Sequence, residues 1–187
     1  MHAWISRAGC KIAVFATHAR APMHINPERS TRPDYALLVR QVVSVLEGER
    51  NLTANAAQFS ALVYDTLADL NWAGFYLTVP AKKGEGQDLL VGPFQGKPAC
   101  ARIPFGRGVC GTTAVERKTI VVPDVHAFPG HIACDSASES EIVLPVIKDG
   151  VLVGVFDIDS PKRDRFLDED RVGLEAMVAA FVEATDC

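Results

Sequence analysis

The chain has no apolar run approaching the roughly 20 residues that cross a bilayer as a helix, so no membrane role is expected. It also lacks a lysine-arginine run, and its net charge of −4 offers no electrostatic footprint for nucleic acid or an anionic membrane surface. No CxxC pair and no HxxxH spacing occur, which removes the usual sequence pattern of a structural zinc site. The five cysteines are too few, too unevenly spaced and odd in number for a disulfide-stapled secreted fold; a reducing, cytoplasmic compartment fits them better. Internal repeats and low-complexity tracts are absent. Acidic residues are missing from the first 27 positions, where Arg7, Lys11 and Arg20 stand among apolar residues. That bias gives a mitochondrial targeting segment as the alternative location.

What is present suits one globular domain: 187 residues, 48% of them hydrophobic. Three prolines between Pro22 and Pro33 mark a linker, dividing the chain into an N-terminal extension, 1–33, and a folded domain, 34–187. Asp34 is placed to cap a helix carrying Leu38, Val42, Val45 and Leu46 up to Gly48. Asn51 is placed to cap a second, with Ala56, Phe59, Val63, Leu67 and Leu70 on one stripe. Trp72 to Val79 alternates as a strand, Trp72, Gly74 and Tyr76 on one face, and Leu89 to Phe94 returns antiparallel to it. A short helix over Thr112–Arg117 and a short strand over Thr119–Val122 follow. Asp149-Gly150 signals a hairpin between Glu141–Lys148 and Val151–Ser160. Asp168 is expected to cap a last helix bearing Leu174, Met177, Val178 and Phe181. This order predicts an α+β domain with a largely antiparallel sheet of about six strands. Helices pack on one face and cysteine-bearing loops lie over the other.

Three cysteines, Cys100, Cys110 and Cys134, fall in glycine-rich or loop-like stretches that read as exposed or tightly turned. They are open to three readings: unrelated residues, a zinc site completed by His126 or His131, or a redox set in which one thiolate attacks and another resolves. His131 beside Cys134 and Arg107 beside Cys110 are the cations available to raise thiolate character. In the last hairpin Val151, Val153, Val155, Asp157 and Asp159 share a face, as do Glu141, Val143 and Pro145. Carboxylates on hydrophobic strands are costly unless something pairs with them. Either the strand ends emerge into solvent, or the acids line a pocket for an ammonium group, with one carboxyl kept protonated as a general acid. Trp72 and Tyr76 are core aromatics or the wall of that pocket.

Together these stretches resemble a known family. Asn71-Trp72-Ala73-Gly74-Phe75-Tyr76-Leu77, Gly92-Pro93-Phe94-Gln95-Gly96, the run from Cys100 through Arg102 to Gly111, Asp124-Val125-His126, His131-Ile132-Ala133-Cys134, Ser140-Glu141-Ile142-Val143 and Asp157-Ile158-Asp159-Ser160 are similar to motifs of the GAF-domain free methionine-(R)-sulfoxide reductases. The resemblance implies an oxidoreductase acting on free methionine-(R)-sulfoxide, with Cys134 the nucleophile and Cys100 the resolving thiol. Cys110 would be a supporting or alternative resolver. Trp72 would take the sulfoxide methyl and Tyr76 the pocket wall. Glu141, Asp157 and Asp159 would serve the amino group and protonate the sulfoxide oxygen. It further implies no bound cofactor or metal, electrons from a thioredoxin-like partner supplied through NADPH and thioredoxin reductase, and pairing into a homodimer. The alternative is a non-catalytic GAF domain that senses a small ligand.

Overall fold

The computed structural model describes residues 32–130 and 136–187. Residues 1–31 of the N-terminal extension, and with them the expected targeting segment and Cys10, lie outside the described residues, as do His131 and Cys134. Among the described residues no helix is long and apolar enough to cross a membrane.

Eleven elements follow in order: α1 (Tyr35–Val45), α2 (Leu52–Thr66), β1 (Trp72–Pro80), β2 (Gln87–Gly96), β3 (Arg102–Pro104), α3 (Gly108–Glu116), β4 (Ile120–Val122), a 3-10 turn (Val125–Ala127), β5 (Ser140–Lys148), β6 (Val151–Ser160) and α4 (Asp168–Ala184). Asp34 and Asn51 cap α1 and α2 as expected, their side chains accepting from the amides of Leu37 and Ala54. The six strands form one sheet in the order β3-β2-β1-β6-β5-β4, every neighbouring pair antiparallel. This is the α+β arrangement expected from the sequence. The short β3 was not anticipated: three residues ending in Pro104 carry too little periodicity to register.

The sheet separates two apolar clusters. On one face α1, α2 and α4 cover a core in which the rings of Phe59, Phe75, Phe156 and Phe181 meet at centroid distances of 4.7 to 5.7 Å. The predicted stripes of the three helices all point there. On the other face α3 and neighbouring segments cover a second cluster built on Trp72, Tyr76, Val143 and Val155.

Two expectations are corrected. Val153 does not share the face of Val155, Asp157 and Asp159. The pairing steps from Val146↔Gly154 to Ile147↔Leu152, so Val153 is an extra residue in β6, and it packs with the helix-side core while Leu152 joins the opposite cluster. Asp168 does not cap α4. Leu167 is the capping position, and Asp170 Oδ2 accepts its amide at 2.8 Å, while Asp168 instead pairs with Arg171 at 2.7 Å.

Candidate active site

Strand register brings the three acids together. Asp159 on the central β6 pairs with Glu141 on β5 and Trp72 on β1, and one step along, Asp157 pairs with Val143 and Gly74. Residues opposite one another in adjacent strands project to the same face. Glu141, Asp157, Asp159 and Trp72 therefore converge on the face away from the three long helices. Glu141 and Asp157 are 5% and 6% exposed, so the solvent-emergent reading fails for both. Asp159 is half-buried.

Helix α3 forms the roof. Gly106 and Gly108 have φ of +77° and +61°, which turns the chain sharply into the helix, and a side chain at Gly111 would meet the Pro104 carbonyl at 2.5 Å. That close approach seats Cys110 over the acids. Its Sγ lies 4.0 Å from Glu141 Oε1, and ligand atoms of Cys110, Glu141 and Asp157 are all within 4.8 Å of one another. The expectation of an exposed or irregular Cys110 is thus wrong: the residue is helical and 4% exposed. Cys100 is disulfide-bonded, whereas Cys110 and Cys187 are free thiols.

The electrostatics follow from burying like charges side by side. Burial first, then the nearby Asp159 carboxylate, pushes the Glu141 carboxyl well above the usual carboxylate range. Burial also raises Asp157, helped by the charges of Asp159 and Glu141. The Cys110 thiol is raised too, by burial and then by Asp157, Glu141 and Asp159. Arg107, the expected activator of Cys110, is exposed, and burial followed by the neighbouring acids favours the protonated thiol. Tyr76 is held as a neutral phenol by burial and then by Asp157. Asp157 Oδ1 is buried with no hydrogen-bond partner among the described residues. A buried acceptor of this kind is satisfied by a ligand that donates hydrogen bonds, above all a cationic one.

The aromatic wall is fixed as tightly. The Trp72 indole stacks on Tyr76 at 5.6 Å and on Phe94 at 5.3 Å, and its Nε1 donates to the Lys97 carbonyl at 3.2 Å. Asn71 donates from Nδ2 to Ser138 Oγ at 3.0 Å, joining the start of β1 to the segment preceding β5. Neither Phe94 nor Ser138 stood out as a site residue in the sequence. The cross-strand pair Gly74↔Phe94 is visible only once the β1–β2 register is known.

His126 is exposed and pairs with Glu139 at 3.5 Å. Among the described residues its metal-capable neighbours are Asp124 and Glu139 rather than a thiol, and Arg163 bridges both carboxylates at 3.0 Å each. The zinc reading gains nothing from this arrangement.

The fold and the site together define a single-sheet α+β domain that gathers buried acids, an aromatic wall and a free thiol on the sheet face away from the three long helices. Comparison with known proteins agrees. The GAF domain model matches residues 34–185. A Bacillus subtilis relative, Protein YtsP, is 58% identical over 71% of this chain and 79% of its own length. An Escherichia coli protein named free methionine-R-sulfoxide reductase is 51% identical, covering 78% of this chain and 84% of the relative. The structure of a Staphylococcus aureus protein called fRMsr, in complex with substrate, superposes with a TM-score of 0.75 at 47% identity, covering 83% of this chain and 98% of that one. The chain belongs to the GAF-domain family, in the group of its relatives named free methionine-R-sulfoxide reductases.

Proposed function

We propose that this protein reduces free methionine-(R)-sulfoxide to methionine. The observation that carries the reading is the pair of buried, raised carboxyls, Glu141 and Asp157, facing an ordered aromatic wall beside a free thiol and near a disulfide-bonded cysteine. Reduction of a sulfoxide needs a thiolate to attack sulfur and an acid to protonate the departing oxygen. Glu141, kept protonated by burial and by Asp159, supplies the proton. The substrate's ammonium group binds the unpartnered Oδ1 of Asp157 together with Asp159, a contact that a peptide-bound residue cannot make. Its methyl group lies against Trp72, with Tyr76 completing the wall.

Cys134 is the attacking thiolate. Its sulfur takes the sulfoxide oxygen as a sulfenic acid and methionine leaves. Cys100 then attacks that sulfur, releasing water and forming a disulfide. Two facts favour Cys100 over Cys110 as resolver. Cys100 is disulfide-bonded, and Cys110 is held as a thiol by its buried acidic surroundings, so it is a poor nucleophile. The disulfide is returned to two thiols by a thioredoxin-like dithiol in the cytoplasm, drawing on NADPH through thioredoxin reductase, and the protein works as a homodimer without a bound cofactor or metal.

Site variants test the assignment. Cys134→Ser is expected to abolish methionine release from the free R epimer, and Glu141→Gln to lower kcat by about 10²–10⁴-fold. Undiminished turnover by Cys134→Ser would sink the thiol mechanism. Tight binding of an unrelated ligand without turnover would favour the sensor reading.

A further inference from the structure

The position of the Trp72 ring is an unusual product of β1. Trp72, Gly74 and Tyr76 lie on one face, and a side chain at the middle position normally separates residues four apart on a strand. Glycine leaves that space open, so the indole lies down over it. A Cβ at Gly74 would sit 2.7 Å from the far edge of the indole and 2.3 Å from Phe94 Cβ. At its other end the ring passes Gly96, where φ is +123° and a Cβ would come within 2.8 Å of the indole. Phe94, the cross-strand partner of Gly74, lies nearly parallel to the indole, at an interplanar angle of 16°. The indole is therefore held by two stacked rings, Phe94 and Tyr76, by two glycine floors and by the Lys97 carbonyl.

We infer that Gly74 and Phe94 are specificity-determining positioning residues: by fixing the Trp72 plane they set the size of the S-alkyl group the site accepts, admitting methyl and rejecting longer chains. The inference rests on the sulfoxide reductase reading of the site. Neither residue needs to touch the substrate. A well-packed apolar wall discriminates one methylene only when it cannot yield, because a mobile ring moves aside for the larger group. Phe94 is half-buried and forms the yielding side of the stack. Removing its ring frees the indole to shift.

The test compares free methionine-(R)-sulfoxide with free ethionine-(R)-sulfoxide as substrates of the full chain and of Phe94→Leu, Phe94→Met and Phe94→Tyr. The readout is the ratio of kcat/KM for the methyl over the ethyl substrate, with near-ultraviolet circular dichroism reporting the aromatic stack. Phe94→Leu and Phe94→Met are expected to lower the methyl preference by about tenfold and to weaken the aromatic dichroism. Phe94→Tyr keeps the ring and retains the wild-type ratio. A wild-type ratio in the two aliphatic variants overturns the inference while leaving the reductase reading intact. A wild-type protein that releases no methionine from the R epimer overturns the reductase reading itself.

Discussion

Asp157 lies between Phe156 and Ile158 on the central strand, 6% exposed, with one oxygen unpartnered among the described residues and a carboxyl raised by burial and by two neighbouring acids. Such a group is costly to the fold and is expected where ligand recognition needs it. Because its folded pKa is raised, its stabilising contribution is full below the ordinary carboxylate range and is lost as pH rises through the raised value. Asp157→Asn removes that cost. The variant is expected to gain about 2–4 °C in Tm near neutral pH. The gain should shrink as pH falls and vanish below about 4, the ordinary aspartate range, where the wild-type carboxyl is protonated in both states. A thermal-unfolding series from acid to neutral pH checks this, and binding of free methionine sulfoxide should be lost in the same variant. A variant less stable than wild type across the whole series would contradict the electrostatic account. The aspartate's placement was legible from period-two alternation, since its neighbours Phe156 and Ile158 point to the opposite, helix-covered face. The state of Cys110 was not legible. Its flanking glycines suggested a turn, whereas they serve to bring a short helix close enough to bury the thiol over the acids.

Among the elements, α4 depends on a buried polar cluster at its start. Asp170 accepts from Tyr35 OH at 2.6 Å, from Arg165 Nη1 at 3.2 Å and from the Leu167 amide at 2.8 Å; Arg165 Nε in turn donates to the Ala68 carbonyl at 3.1 Å. The Tyr35 ring lies against Gly173, where a Cβ would come within 2.0 Å of it. One carboxylate thus joins α1, α4 and the segment before β1. Asp170→Ala leaves Arg165 buried without its partner and should cost about 3–5 kcal/mol in chemical denaturation, while Asp168→Ala, which removes an exposed pair, should cost under about 1 kcal/mol. Equal losses in the two variants would contradict the assignment of Asp170 as the organising residue. Helix α4 itself was clear from its apolar stripe, but the capping position was not, because Leu167 has no capping side chain and only the bond from its amide back to Asp170 marks it. The extra residue at Val153 was hidden for a similar reason. A single insertion leaves the strand's composition unchanged and shows only in its pairing with β5. Phe94 and Gly74 read as ordinary strand residues until the register of β1 and β2 made them neighbours.

At the scale of the whole molecule, one antiparallel sheet divides the labour. Its helix-covered face holds the phenylalanine core, and its other face is given to acids, aromatics and thiols. The division lets costly buried carboxyls be tolerated, because apolar burial on the helix side offsets them. The central claim is that this second face reduces one stereoisomer of one free amino-acid sulfoxide. The direct measurement is NADPH consumption in the presence of thioredoxin and thioredoxin reductase, with the separated R and S epimers of free methionine sulfoxide and an N-acetylated R epimer. The account predicts turnover of the free R epimer alone, because in the proposed binding mode the S epimer would direct its oxygen away from Glu141 and acetylation would remove the ammonium assigned to Asp157 and Asp159. Equal turnover of both epimers, or of the acetylated compound, or none with the free R epimer, would contradict it.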